Sequence, residues 1–222
     1  PAKALRVGCP LRPDFEATDK TTARERLGIT QNQKVLLSFG GSLGAEQVNF
    51  AMLDFMEDYV KQHPEVLHIH ATGSIEWEIA TGIYKDRGLD QCENIQFVEY
   101  INDMPLKMAA ADVVVCRAGA NTVSELALMG KSCILIPSPN VADDHQYKNA
   151  KVLGDANAAI VIRDSELDDP NRYTSEIVSL LENPAKRAEL SANIVAFADR
   201  DANRRIYEEL RTLVREKKQG SI

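Results

Sequence analysis

The chain has 222 residues, of which 44% are hydrophobic and 27% are charged, and its formal net charge is −7. This composition is ordinary for a globular protein, and the length allows one large α/β domain or two small ones. The negative charge argues against nucleic acid as the main partner and against strong electrostatic binding to anionic lipid. No apolar run approaches the ~20 residues of a membrane-spanning helix, and no signal peptide is recognisable.

The four cysteines are scattered, without a C-x-x-C pair or the spacing of a zinc site. Cys116 and Cys133 lie at the ends of apolar runs, where a buried free thiol is the usual occupant. We therefore expect a reducing, cytosolic environment and no disulfide framework. The sequence begins at Pro1 without an initiator methionine, so we expect a processed or excised piece of a longer protein.

The first twenty residues contain two closely spaced prolines, Pro10 and Pro13. Proline restricts its own backbone and that of the preceding residue, so this segment is predicted to be extended and to exclude helix. We predict that residues 1–20 form a linker, in which Arg12 is the one residue with a possible functional role. A short helix over residues 21–27 is predicted to follow.

Strand-like and helix-like segments then alternate along the chain. The predicted strands are residues 34–39, 67–71, 94–98, 112–116, 132–136 and 158–162. The predicted helices are residues 48–59, 75–87, 103–110, 123–129 and 144–153, with a helical region over 171–218 that breaks near Asn183. This alternation predicts a single α/β domain with a doubly wound parallel sheet of about six strands.

Glycine and polar residues collect after four of the predicted strands, in residues 40–42, 100–104, 117–125 and 138–146. Ligands of such sheets bind beyond the carboxyl ends of the strands. The clustering therefore predicts a binding site at that edge of the sheet, but it does not identify the ligand.

Residues 40–44 (GGSLG) lie between a predicted strand and a predicted helix. In such a loop, backbone N–H groups and the Ser42 hydroxyl can approach a diphosphate. The loop is neither the G-x-G-x-x-G fingerprint nor a P-loop, and no acidic residue ends the second strand, so dinucleotide binding is disfavoured. A plain tight turn and a phosphate-binding loop both remain compatible with this motif.

Residues 116–125 (CRAGANTVSE) form a predicted turn and helix start after the fourth strand. Free N–H groups at such a helix start can bind an anion, and Arg117 adds a positive charge. Thr122 and Glu125 have the spacing of a capping box. Glu125 could instead accept charge-assisted hydrogen bonds from two ribose hydroxyls. The spacing alone favours the cap.

Residues 143–150 (DDHQYKNA) start another predicted helix, with acidic residues in its first turn. The side chains of the Asp-Asp-His run point in different directions, so we expect no metal site. Gln146 carries both a donor and an acceptor, which suits sugar hydroxyls.

His68 and His70 lie on one face of a predicted strand. No third ligand is close in sequence, so we predict that both are buried and hydrogen-bonded rather than metal ligands. No nucleophile elbow, Cys/His pattern or close carboxylate pair is apparent. The sequence thus indicates a binding site more clearly than a catalytic residue.

Together these segments resemble the C-terminal, nucleotide-sugar-binding half of the MurG family, the bacterial peptidoglycan N-acetylglucosaminyltransferases. The similar segments occur in the family's order and extend over nearly the whole chain. They are residues 7–12 (VGCPLR), 39–45 (FGGSLGA), 100–104 (YINDM), 112–125 (DVVVCRAGANTVSE) and 143–150 (DDHQYKNA).

The resemblance implies a Rossmann-like fold that forms one half of a B-type glycosyltransferase. Residues 1–20 would be the interdomain linker, and residues 21–222 would be the UDP-GlcNAc-binding domain. The family transfers N-acetylglucosamine from UDP-GlcNAc, with inversion, to a lipid-linked muramyl-pentapeptide. The resemblance therefore implies a hexosyltransferase of peptidoglycan and cell-wall synthesis, tied to cell shape and division, that needs no cofactor and is peripheral on the cytoplasmic face of the inner membrane.

The resemblance also implies roles for single residues. Arg12 would pack near the uracil, the backbone at Ile101 would hydrogen-bond the base beside Met104, and Glu125 would accept the ribose hydroxyls. Ser42 and the N–H groups from residue 120 onward would hold the diphosphate, Arg117 would support that loop, and Gln146 with His145 would contact the sugar. The implied donor-site residues are Arg12, Gly41, Ser42, Ile101, Met104, Arg117, Ala120, Asn121, Thr122, Val123, Ser124, Glu125, His145 and Gln146.

Two departures from the family are visible. Cys9 stands where the family commonly has asparagine. The resemblance also implies that the family's N-terminal domain, with its acceptor-binding loops, base and membrane-facing patch, is not part of these 222 residues. We therefore expect the chain alone to be inactive. In the family the terminal helix packs on that domain, so the helices from Pro184 to about Lys218 would expose an apolar face or lie elsewhere.

Two alternatives remain at this stage. One is a non-catalytic nucleotide-sugar-binding subunit of a split transferase. The other is a UDP-GlcNAc 2-epimerase-like protein, which would need acid and base residues in the cleft, and the sequence offers no convincing set.

Overall fold

A computed structural model of the chain describes residues 4–219. Within this range six parallel strands form one sheet in the order β3-β2-β1-β4-β5-β6. The strands are β1 (Lys34–Phe39), β2 (Val66–Ala71), β3 (Ile95–Val98), β4 (Val113–Cys116), β5 (Cys133–Leu135) and β6 (Ile160–Val161). The strand order reverses between β1 and β4, which confirms the predicted doubly wound fold.

The helices cover both faces of the sheet. They are α1 (Asp14–Ala17), α2 (Lys20–Leu27), α3 (Glu46–Asp58), α4 (Trp77–Asp86), α5 (Met104–Ala110), α6 (Ala120–Met129), α7 (His145–Asp155), α8 (Pro170–Glu182), α9 (Pro184–Ile194) and α10 (Ala202–Gln219). None of the helices in this described range is both long and apolar enough to cross a membrane.

The central strands are buried on both faces because helices cover each of them. Along β4, Val114 packs in one core cluster with residues of α5 and α6, whereas Val113 and Val115 pack in the other with residues of α3 and α8. Cys116 and Cys133 are buried free thiols, as predicted. Because β4 is buried on both faces, its successive residues are all apolar, and this unbroken apolar run correctly predicted the strand.

The structure corrects the prediction that the first twenty residues exclude helix. Pro13 is the N-cap residue of α1 and has helical backbone angles, and the Glu16 N–H donates to the Pro13 carbonyl at 2.9 Å. A proline has no N–H to lose in the first turn of a helix, so it starts a helix more readily than it continues one. Phe15 in α1 is buried in the core, and the boundary between linker and domain stays a prediction.

The C-terminal helical region breaks at Asn183, as predicted, and again before α10, which the sequence analysis missed. At the second break, the Asp199 side chain accepts a hydrogen bond from the Asp201 N–H at 3.2 Å, a local turn that competes with helix. Beyond it, α10 exposes an apolar face made of Tyr207, Leu210, Leu213 and Val214. The alternative in which the terminal helices expose such a face is therefore the correct one.

Near the amino ends of β4 and β5, two charged side chains have hydrogen-bond or ion-pair partners within the protein. Asp112, just before β4, accepts hydrogen bonds from Arg24 at 2.6 Å and from the Val35 N–H at 2.7 Å, and it pairs with Lys20. Lys131, just before β5, is buried and donates to two backbone carbonyls at 2.7 and 3.1 Å.

Candidate functional site

The glycine loop, residues 40–44, joins β1 to α3 at the carboxyl end of the sheet. Gly41 and Gly44 have φ angles of +100° and +97°, which L side chains rarely adopt. A Cβ on Gly44 would lie 2.1 Å from the carbonyl oxygen of Thr72, which follows β2. The loop is therefore pressed against the end of β2, and only glycine fits at residue 44.

Helix α6 begins without a side-chain cap. Its N-cap residue is Gly119, and the first hydrogen bond of the turn runs from the Val123 N–H to the Gly119 carbonyl at 2.9 Å. The N–H groups of Ala120, Asn121 and Thr122 are consequently not used within the helix. The start of α6 offers them to an anion at the positive end of the helix dipole.

The predicted capping box of Thr122 and Glu125 is wrong. A capping residue must lie just outside the helix, but Thr122 is already the third residue of α6. The turn at Gly119 starts the helix three residues earlier than the box requires. Glu125 lies on the second turn, and no hydrogen bond in the described part of the chain involves its carboxylate.

A cavity of about 360 Å³, which we call pocket A, lies between the carboxyl ends of β1, β2 and β3 and the helices α1, α5 and α6. Six of the predicted site residues line it: Arg12, Gly41, Ser42, Ile101, Met104 and Glu125. The other lining residues were not predicted from the sequence, and they are Phe15, Phe39, Ala71, Tyr100 and Asn102. Tyr100 and Asn102 lie within residues 100–104, one of the polar segments that predict the site, whereas Phe15 lies in the predicted linker.

Glu125 is the acidic group of pocket A. Burial raises the pKa of its carboxyl to about 7, and the nearby Arg12 opposes this shift only in part. Arg12 itself is exposed, with its guanidinium 5.4 Å from the centre of the Phe15 ring. A half-buried carboxylate without a partner is costly in the empty protein, so hydrogen-bond donors from a ligand would be favourable there.

A second cavity, pocket B, has a volume of about 520 Å³ and shares Gly41 and Ser42 with pocket A. It runs along the glycine loop to Arg117, Ser138 and Gln146. The two pockets therefore adjoin at Ser42 and extend along the carboxyl edge of the sheet.

Arg117 supports the far side of pocket B. Its guanidinium pairs with Asp164 and donates to the carbonyls of Ile136 and Pro137 at 3.3 and 3.4 Å. These contacts connect the ends of β4, β5 and β6. The charge of Arg117 is therefore matched within the protein, and its role in this structure is to hold loops together.

Gln146 and His145 are placed differently from each other. The Gln146 side-chain oxygen accepts from the Ser138 N–H at 3.0 Å, which leaves its NH₂ group available to pocket B. His145 donates to the Ala142 carbonyl at 3.0 Å, is exposed and lines neither pocket. Before it, Asp143 and Asp144 have φ angles of 53° and 51°, and such strained backbone is common at functional sites.

Among the predicted residues on α6, Asn121 accepts a hydrogen bond from the Cys9 thiol at 2.9 Å. The Ser124 hydroxyl donates to the Ala120 carbonyl at 2.9 Å, and the Val123 N–H is bonded within the first turn. Within the part of the chain described, no group of three or more His, Cys, Asp and Glu side chains could hold a metal ion.

Comparison with known protein families identifies the family of this chain. Residues 35–206 match the C-terminal domain of glycosyltransferase family 28. The chain belongs to this family. A curated relative from Acetivibrio thermocellus is 37% identical over 99% of this chain and 58% of its own length. It is named UDP-N-acetylglucosamine–N-acetylmuramyl-(pentapeptide) pyrophosphoryl-undecaprenol N-acetylglucosamine transferase.

Solved structures agree with this assignment. The crystal structure of Acinetobacter baumannii MurG superposes with a TM-score of 0.71 and 25% identity, over 96% of this chain and 58% of that one. A UDP-GlcNAc 2-epimerase from Neisseria meningitidis, bound to UDP-GlcNAc, superposes with a TM-score of 0.57 and 15% identity, over 87% of this chain and 48% of that one. At 15% identity the epimerase shares only the fold, so the epimerase alternative is not favoured. The fold is that of the Rossmann-like half of a B-type glycosyltransferase, and the chain spans 58% of the length of both the Acetivibrio relative and the MurG structure.

Proposed function

We propose that this chain is the donor-binding half of an inverting glycosyltransferase of peptidoglycan synthesis. The whole enzyme would transfer N-acetylglucosamine from UDP-GlcNAc to a lipid-linked muramyl-pentapeptide. The observation that carries the proposal is the Glu125 carboxylate, which is half-buried in pocket A one turn beyond the open start of α6. That pairing offers an acceptor for ribose hydroxyls beside donors for a diphosphate.

In this proposal pocket A holds the nucleoside. The uracil lies against Met104 and Arg12 and hydrogen-bonds the backbone at Ile101, all of which line the pocket. The two ribose hydroxyls donate to the Glu125 carboxylate. Hydrogen bonds to a charged group are worth about 1.5–3 kcal/mol, so this contact would dominate recognition of the ribose.

Pocket B holds the diphosphate and the sugar. Ser42 and Gln146 line pocket B, where the Ser42 hydroxyl would face the phosphates and the Gln146 NH₂ group the sugar hydroxyls. Residues 120–122 line neither pocket, and their unused N–H groups would meet the phosphates from the start of α6. When the acceptor hydroxyl attacks the anomeric carbon, negative charge grows on the departing UDP. The dipole and N–H groups of α6 stabilise that charge, which favours an inverting displacement.

The acceptor and the base would come from the N-terminal domain of the family's enzymes, since the chain spans 58% of its Acetivibrio thermocellus relative. The apolar face of α10 is the surface we propose to pack on that domain. The chain alone would then bind the donor without transferring it. The assembled enzyme would work at the cytoplasmic face of the inner membrane, where its lipid-linked acceptor lies.

Calorimetric titration of the chain with UDP-GlcNAc, UDP and NADH tests the proposal. We expect the two uridine nucleotides to bind and NADH not to bind, because the glycine loop lacks the dinucleotide pattern and no acidic residue ends β2. Failure of both uridine nucleotides to bind, or tighter binding of NADH, would overturn the proposal.

A further inference from the structure

A continuous chain of polar side chains is buried directly beneath the glycine loop. It consists of Ser38 on β1, His68 and His70 on β2, Asn49 on α3 and Thr72 after β2, and all five residues are 0% exposed. The predicted burial and hydrogen bonding of the two histidines is thus confirmed. We call this set the buried polar chain, and none of its members lines pocket A or pocket B.

The positions of the hydrogens follow from the end nearest the site. The Asn49 NH₂ group donates to the Thr72 carbonyl at 2.9 Å, so the Asn49 oxygen faces His70 Nε2 at 3.2 Å and must accept from it. Burial lowers the pKa of His70 to about 3, so the ring is neutral and carries a single hydrogen on Nε2. His70 Nδ1 must then accept from the Ser38 hydroxyl at 2.7 Å.

The other end of the chain is fixed in the same way. Ser38 gives its one hydrogen to His70, so its oxygen accepts from His68 Nε2 at 2.7 Å. Burial lowers the pKa of His68 well below its usual value, and the neighbouring His70 lowers it further, so the His68 ring is neutral too. His68 Nδ1 is buried without a partner in the described part of the chain. All the hydrogen bonds therefore run in one direction, from His68 to the Thr72 carbonyl.

The glycine loop packs directly against the Thr72 carbonyl oxygen. A Cβ on Gly44 would lie 2.1 Å from this oxygen, and a Cβ on Gly73 would lie 2.1 Å from the Gly44 nitrogen. The loop is further fixed by its own carbonyls, because those of Ser42 and Leu43 accept N–H groups of the segment that follows Gly73 at 3.3 and 3.1 Å. A shift of the Thr72 carbonyl would consequently move the loop.

We propose that the buried polar chain positions the glycine loop for the diphosphate of the ligand. Asn49 and His70 hold the Thr72 carbonyl in place, and Ser38 and His68 hold His70. The residues line neither pocket, so they act through the loop as positioning residues. This inference rests on the proposed function, since it needs a ligand whose phosphates meet Ser42.

The molecule contains a matched control at the opposite end of β2. Asn94 donates its NH₂ group to the carbonyls of Val60, His63 and Val66 at 2.9, 3.1 and 3.0 Å. Asn49 and Asn94 thus both anchor backbone beside β2 through side-chain amides. Only the carbonyl that Asn49 holds lies against the glycine loop.

The test compares Asn49→Ala with Asn94→Ala, using UDP and uridine as ligands. Asn49→Ala removes the hydrogen bond that holds the Thr72 carbonyl, so the glycine loop should shift. We expect the affinity for UDP to fall roughly tenfold, because the shifted loop loses about one hydrogen bond to the phosphates. Its affinity for uridine, measured by NMR titration, should fall by a clearly smaller factor, since uridine meets the loop only at Gly41 and Ser42 in pocket A and has no phosphate to place. Asn94→Ala should lower thermal stability and leave both affinities unchanged.

Three further variants keep the test decisive if Asn49→Ala does not fold. Ser38→Ala should weaken UDP binding selectively, and His70→Gln, which retains a donor towards Asn49, should bind UDP more tightly than His70→Leu. Equal UDP binding by these variants and the wild type, or equal losses for UDP and uridine, would overturn the inference alone. A wild-type chain that does not bind UDP would overturn the proposed function and the inference with it.

Discussion

At the amino end of the sheet, the Asp112 carboxylate accepts hydrogen bonds from Lys20, Arg24 and the Val35 N–H. At the carboxyl end, the Glu125 carboxylate has no hydrogen-bond partner within residues 4–215. Burial acts to raise the pKa of both carboxyls. At Asp112 the hydrogen bonds from Lys20 and Val35 outweigh this effect, and the pKa lies below its usual value. At Glu125 burial prevails, and the pKa rises to about 7.

This difference separates groups that stabilise the fold from groups that await a ligand. A buried carboxylate with three donors is stabilised in its charged form, whereas one without donors lowers the stability of the empty protein. Buried groups with raised pKa values and no partner are more frequent at binding sites than elsewhere. The comparison yields four predictions, each of which should affect one end of the sheet and leave the other unchanged.

The largest effect is expected for Asp112→Ala. It removes the partner of Arg24, whose side chain is only 5% exposed. Leaving one member of a buried pair unpaired costs about 3–5 kcal/mol, and urea unfolding should report that loss. The affinity for UDP-GlcNAc should not change.

Glu182→Ala is the control for this prediction, because the Glu182–Lys34 pair lies at the same end of the sheet but is far less buried, with side chains 49% and 28% exposed. Its loss should be at most about 1 kcal/mol. Similar losses for the two variants, or a weakened affinity in Asp112→Ala, would contradict the division between the two ends.

Glu125→Gln should have the converse effect. It retains the shape of the side chain but removes the charge, so the ribose contact should weaken by about 1.5–3 kcal/mol, or roughly 10–150-fold in affinity for UDP-GlcNAc. Stability should be unchanged or higher, because an unpartnered carboxylate is removed. Calorimetry and urea unfolding measure the two quantities, and an unchanged affinity would exclude Glu125 as the ribose acceptor.

Binding should also depend on pH through Glu125. The hydroxyls donate to the ionised carboxylate, so for a group with a pKa of about 7 the affinity for UDP-GlcNAc should be about tenfold lower at pH 6 than at pH 8. In the empty protein the sign is opposite. The native state binds more protons than the unfolded chain between the ordinary pKa of 4.5 and about 7, so Glu125 reduces stability as pH rises through that window. Glu125→Gln should show neither dependence; a wild-type affinity that does not change with pH would contradict this account.

The smallest effects are expected for Gly41→Ala and Gly28→Ala. Both glycines have positive φ angles, +100° and +68°, and both have open space where a Cβ would lie. The substitutions should each cost about 1 kcal/mol in the free energy of unfolding, from backbone strain alone. Gly28 ends α2 near the amino end, so only Gly41→Ala should weaken UDP-GlcNAc binding, and equal affinities in the two variants would refute the assignment of the glycine loop.

Much of the fold could be predicted because its signals are local. The apolar runs at β1 and β4 are buried on both faces, and the glycine turn after β1 follows directly in sequence. Ligands bind at the carboxyl ends of parallel strands, so the sequence also predicted that Ser42, Ile101 and Glu125 lie together at that edge of the sheet.

What could not be predicted depends on contacts between distant segments. The spacing of Thr122 and Glu125 fits a cap in one helix register and a ligand contact in another, and the turn at Gly119 selects the register. Arg117 pairs with Asp164, 47 residues further along the chain. The burial of Phe15 depends on α5 and α6, so the prolines alone gave the wrong conformation.

Hydrogen–deuterium exchange with and without UDP-GlcNAc tests the division between the two ends most directly. We expect saturating ligand to slow exchange in residues 40–44, 100–104 and 119–122. Exchange around Arg24, Asp112 and Asn94 should stay the same. Binding without slower exchange at 40–44 and 119–122, or with slower exchange only at the amino end, would contradict the account.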